Sequence, residues 1–146
     1  MQGMRIMNVR SVVLRETAIS VAINTVLSIL FFLAVFGVSA PVTARALGPD
    51  FLPQALMVAL MGSLVPGLLT ARRSGAAKAP VVRRAILLAI GGLVGAGGGA
   101  WLVCSLSDRV FDPVHAMLGK AIFGAGLAAI VTPVAVRAAL QSANRQ

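Results

Sequence analysis

The sequence predicts an all-α membrane protein, four transmembrane helices arranged as two helical hairpins in a single integral domain of 146 residues. Three observations carry that prediction. The chain is 58% hydrophobic and only 12% charged, with a mean hydropathy of +0.93, whereas soluble domains carry about 25% charged residues. Its apolar residues gather in four runs, each near the roughly 20 residues that cross a hydrocarbon core of about 30 Å. Ten of the 13 Lys and Arg residues fall outside those runs in three places, leaving only Arg45, Arg109 and Lys120. Because lipid satisfies no backbone hydrogen bond, the spans are expected to be helices.

The first span is read at 17–40, after Arg5, Arg10 and Arg15. It ends in small residues, Val38, Ser39 and Ala40, and so also resembles a secretory signal. Its apolar run of about 20 residues exceeds the 7–15 of a signal core, which favours a retained helix. The second span, 51–71, follows the turn Leu47-Gly48-Pro49-Asp50, where proline presets the backbone and Asp50 is expected to cap the helix. Pro53 then falls in the first helical turn, where a missing N–H is harmless.

A loop at 72–84 carries Arg72, Arg73, Lys78, Arg83 and Arg84, with a small, flexible stretch from Ser74 to Pro80. The third span, 85–106, holds Trp101 near its far end, as an interfacial anchor would be. The fourth, 114–136, follows Asp112-Pro113, a cap and then a proline at the first helical position. Arg137 and Arg145 close the chain. Short loops rich in Lys and Arg remain on the cytoplasmic side, so ten against two predicts both termini and the 72–84 loop in the cytoplasm of a bacterium, in its inner membrane.

Several function classes are thereby set aside. The sequence pI near 11.9 suggests nucleic acid, yet the basic residues sit at the ends of apolar runs, where anionic lipid headgroups attract them. Arg15, Arg72, Arg73, Arg83 and Arg84 are assigned that role. One cysteine, Cys104, excludes an internal disulfide or a thiolate metal site. His115 has no carboxylate or thiol at ligand spacing and reads as an interface residue. One histidine, one cysteine and no carboxylate within a span leave nothing from which to build a nucleophile and its base, so no enzyme, metal or cofactor is expected.

The two halves echo each other. Each begins at an arginine, Arg15 or Arg84, turns at a Pro/Asp pair, and returns through a proline followed by arginine: Pro66 to Arg72 and Pro133 to Arg137. Repeats of this kind would be related by an axis along the membrane normal. The stretch from Arg15 to Arg73, with Asn24, Phe31-Phe32, Gly48-Pro49-Asp50-Phe51 and Pro66 to Arg73, resembles small bacterial inner-membrane proteins built from two-span units. The resemblance implies a membrane hairpin and no activity, since that family has none assigned.

Inside the spans, four features need explanation. Gly91, Gly95 and Gly99 recur every fourth residue and so share a helix face that admits close approach, by a neighbouring span or by another copy. Ser20, Asn24 and Ser28 share a face of the first span, as interhelical hydrogen-bonding groups or as the lining of a polar path. Lys120 is a charge within the fourth span; its stem either reaches back to the interface or pairs with Asp50, Asp108 or Asp112. Glu16 beside Arg15 is read as local charge neutralisation.

The functional expectation is a non-enzymatic membrane protein, an accessory or interaction subunit packing through its Gly-rich third helix. Its partners would be the anionic bilayer and a homo-oligomer or another membrane protein. Two alternatives stand beside it: a small oligomeric channel or transporter with Asn24 and Lys120 on its path, and a holin-like pore former.

Overall fold

The computed structural model describes residues 2–143, with side chains from residue 9 onward. Arg145, and the side chain of Arg5, lie outside the described residues. Helix α1 spans Gln2–Val35, α3 Phe51–Ser74 and α6 Pro113–Ala143. The third long rod is composite: α4 (Lys78–Gly91), a π-helical segment (Gly92–Gly97) and α5 (Gly98–Ser105). Among the described residues, four helical segments are long and apolar enough to cross a membrane.

The helices differ from the predicted spans mainly at their ends. α1 stops at Val35 rather than residue 40, because Gly37 takes φ 67 and turns the chain out while Val38 to Ala40 continue only the apolar composition. The basic connection is also shorter than expected. Gly75 caps α3 at φ 73 and α4 starts at Lys78, which places Arg83 and Arg84 on a helix.

At the opposite end, two connections meet as a short antiparallel ribbon. β1 (Val42–Thr43) pairs with β2 (Val110–Phe111), with Val42 opposite Phe111. Thr43 accepts from the Ala46 N–H and so caps the four-residue helix α2 (Ala44–Leu47). A core of Phe32, Val42, Leu47, Phe51 and Ala116 lies beneath the ribbon. Asp112 accepts from the Val114 N–H at 3.0 Å, the cap expected before Pro113. Asp50 makes no such cap bond; its carboxylate is used elsewhere.

The expected pairing of spans one with two and three with four is not how the helices pack. α1 packs on α6, α6 on α3, and α3 on α4, while α1 and α3 meet mainly through side chains, Ser28 with Gln54 and Glu16 with Arg73. α1 and α6 run antiparallel: Ser20 meets Thr132, and a Cβ on Gly124 would run into Ser28. α3 and the composite rod repeat that crossing, with Ala59 against Gly92 and Ala55 against Gly97 in the π-helical segment. α3 and α6, the two returning helices, run parallel, and bonds between them join Gln54 to Lys120 and Thr132 to Gly62, residues 66 and 70 apart. Pro66 and Pro133 are separated by a comparable 67 positions. Residues near the repeat offset thus lie side by side on two parallel helices, and β1 pairs with β2 across a similar sequence separation.

Candidate functional site: a buried polar seam

α1 is built inside out. Its buried stripe is Val13, Glu16, Ser20, Asn24, Ser28 and Phe32, four of the six polar, while Leu14, Ile23, Val26, Leu27, Leu30 and Phe31 are exposed. Spacing near four residues makes one ridge, and α6 answers with Lys120, Gly124, Ala128, Thr132 and Val136, buried at the same interval. Ridges of this spacing interdigitate closely when the facing residues are small.

The hydrogen bonds fix their own direction. The Gly62 carbonyl only accepts, so Thr132 donates to it at 2.8 Å, and the 2.8 Å contact between Thr132 and Ser20 is then a donation from Ser20. Asn24 donates through Nδ2 to the Ser20 carbonyl at 2.8 Å and to Ser20 Oγ at 3.3 Å. One turn further on, Gln54 Nε2 donates to Ser28 Oγ at 2.8 Å and to the Lys120 carbonyl at 3.0 Å. The carbonyl contact settles which end of the Gln54 amide is nitrogen.

Lys120 does not reach back to the interface. Its side chain is 1% exposed and its ammonium contacts the carboxylate of Asp50, which is 14% exposed. The rings of Phe51 and Phe36 flank the ammonium at 5.5 and 5.8 Å. The other two carboxylates considered for it are engaged: Asp108 pairs with Arg45 at 2.6 Å, and Asp112 caps α6 and approaches His115 at 3.5 Å. At the basic end, Glu16 accepts from Arg73 at 3.1 Å, its side chain 8% exposed. Arg15, Arg72, Arg83 and Arg84 are exposed there.

The structure thus brings Ser20, Asn24, Ser28 and Lys120 onto one seam between α1, α3 and α6. It runs from Glu16 and Arg73 at one end to Lys120 and Asp50 at the other. Sequence reasoning missed Gln54 and Thr132. The signal for Gln54 was present, since it lies one helical turn after Asp50 and therefore on the same face of α3. Among the described residues no three His, Cys, Asp or Glu side chains group to hold a metal.

The glycines sort differently from expectation. Gly91, Gly95 and Gly99 do not pack against the described residues: among these, a Cβ on any of them would meet nothing within 4 Å. The close approach to α3 is made by Gly92 and Gly97. A Cβ on Gly92 would lie 2.6 Å from that of Ala59, and one on Gly97 2.9 Å from that of Ala55. These two are five residues apart, and the π-helical segment between them, with its i→i+5 bonding, is what turns both to the same neighbour.

No protein-family model, curated protein or solved structure matches this chain.

Proposed function

We propose that this protein is a non-enzymatic, multi-pass subunit of a bacterial inner membrane, with both termini cytoplasmic, that works by binding another membrane helix along Gly91, Gly95 and Gly99. The observation that carries this reading is the free state of that face. The glycines needed for internal packing are Gly92 and Gly97, and three more at fourfold spacing remain bare on the other side. The third helical segment is also the least covered of the four, 11% buried against 22 to 44%. Without side chains, such a face lets a second backbone approach closely, and dispersion then favours association in lipid. The basic end, with Arg72, Arg73, Arg83 and Arg84, supports the orientation, and the likeness to two-span bacterial membrane proteins belongs to the same reading.

The test is the assembly state in a mild detergent before and after Gly95→Leu. The native protein is expected to run as a homo-oligomer or with a co-purifying membrane protein, and Gly95→Leu to release a monomer. A native protein that is monomeric and partnerless, or an assembly indifferent to Gly95→Leu, refutes the proposal.

A second reading, a small channel or transporter, is favoured by the convergence of Ser20, Asn24, Ser28 and Lys120 on one seam. It predicts ion flux into protein-loaded liposomes that Asn24→Leu and Lys120→Ala reduce; flux unchanged in both removes these residues from any path.

A further inference from the structure

Charge is unevenly matched between the two ends of the bundle. At the ribbon end Asp50 contacts Lys120, Asp108 pairs with Arg45, and Asp112 caps α6. The chain has four acidic side chains, which leaves Glu16 for the basic end, and Glu16 is taken by Arg73 at 3.1 Å. Lys78 and Arg83, both exposed in the first turns of α4, therefore have no carboxylate side chain to pair with among the described residues.

These two cations head a furrow. α4 carries Lys78, Val82 and Ile86 at intervals of four and, beside them, Ala79, Arg83 and Leu87 at the same interval, and two such rows form neighbouring ridges with a groove between. The space along them is about 560 Å3, within the range of ligand pockets, about 300–1,000 Å3. Val82, Ile86 and Leu87 are exposed there, while Val81, Ala85 and Ala89 hold the opposite face of α4 inside the bundle. Helical side chains lean toward the N-terminus, so the stems of Lys78 and Arg83 carry their charges back to the basic end and leave the deeper part of the furrow apolar. Arg84 stands beside a different space, between α4 and α6, whose volume of about 10 Å3 admits no more than a water molecule.

We infer that this furrow binds one anionic phospholipid of the cytoplasmic leaflet, its phosphate between Lys78 and Arg83 and an acyl chain along Val82, Ile86 and Leu87. The site rests on the membrane orientation proposed above and not on Gly91, Gly95 and Gly99. Charge complementarity names the occupant. Two cations without a carboxylate attract a phosphate, and the guanidinium fork can donate to two of its oxygens. The order along α4, cation first and hydrocarbon deeper, is that of a phospholipid from headgroup to chain. A zwitterionic lipid would bring its own cation against the same pair, and free phosphate would leave the apolar half of the furrow empty.

The test places the full chain in phosphatidylcholine nanodiscs with a trace of phosphatidylglycerol or phosphatidylcholine carrying the same acyl-chain diazirine, and locates crosslinks by mass spectrometry. Val82, Ile86 and Leu87 are expected to take the phosphatidylglycerol label about ten- to thirtyfold more than the phosphatidylcholine label, since each cation near the surface contributes about fivefold. Lys78→Gln with Arg83→Gln, both at exposed positions, is expected to bring the ratio to about one. Arg10→Gln with Arg15→Gln removes the same charge from another helix and is expected to leave the ratio unchanged. A native ratio near one, a ratio that survives Lys78→Gln with Arg83→Gln, an equal fall in both double variants, or phosphatidylglycerol label spread as heavily over the basic ends of α1, α3 and α6 overturns the site and leaves the membrane reading standing. Absence of label from both lipids would instead refute the membrane reading and this site with it.

Discussion

Separating Lys120 from Asp50 by substitution gives a quantitative check on the seam. Breaking a buried ion pair from one side costs about 3–5 kcal/mol, chiefly because the remaining charge has no partner. The two sides are not equivalent here. In Lys120→Met the orphan is Asp50, 14% exposed and beside the ribbon end, so water relieves part of the penalty and a loss of about 3 kcal/mol is expected. In Asp50→Asn the orphan is an ammonium 1% exposed between Phe36 and Phe51, with no route for its stem to water, and the loss should approach about 5 kcal/mol. Replacing both, Asp50→Asn with Lys120→Met, removes charge and counter-charge together and should recover most of this, leaving a coupling above about 2 kcal/mol. Unfolding in mixed detergent micelles, followed by helical circular dichroism and by the fluorescence of Trp101, the one tryptophan, measures all four corners of the cycle. Additive single losses, or a Lys120→Met protein within about 1 kcal/mol of native, would refute the account of a desolvated pair.

Two further outcomes follow from the packing. Gly97→Ala should destabilise the fold by about 1–3 kcal/mol, because its Cβ would press on Ala55 at 2.9 Å and on the Phe51 carbonyl at 3.2 Å, whereas Gly95→Ala should leave the unfolding of the monomer unchanged; the same micelle titration decides, and equal effects would undo the distinction between the two faces. Thr132→Val keeps the shape but removes the donor to Gly62 and the acceptor for Ser20, so a loss of about 0.5–2 kcal/mol is expected, with no change in the Lys120 corner of the seam.

What the sequence made legible was set by local rules. Length and hydropathy located the helices, and the fourfold spacing of Ser20, Asn24 and Ser28 told that they share an inward face, because both signals lie within one segment. The partner of Lys120 was not singled out from three carboxylates, since nothing local brings Asp50 across from another helix. The glycines that pack against α3 were not legible from ideal helical spacing, because the π-helical segment shifts the register and turns Gly92 and Gly97 inward. The helix order escaped entirely. Short loops suggest that neighbours in sequence pack together, but the bulk and hydrogen bonds that decide the matter join α1 to α6.

That last contact bears on how the chain is made. The helix that receives the polar stripe of α1 is synthesised after α3 and the composite rod, and at about 5–20 residues per second the ribosome needs roughly 5 to 20 s to pass from the end of α1 to the end of α6. Through that interval Glu16, Ser20, Asn24 and Ser28 have no partner on α6. In a bilayer they would have to be shielded by the insertion machinery, by water drawn in beside them, or by a passing helix of another protein. The first helix is therefore the point at which biogenesis is most exposed to interference. An apolar replacement such as Asn24→Leu should speed membrane insertion of α1 while weakening its final docking, a separation of insertion from assembly within one side chain.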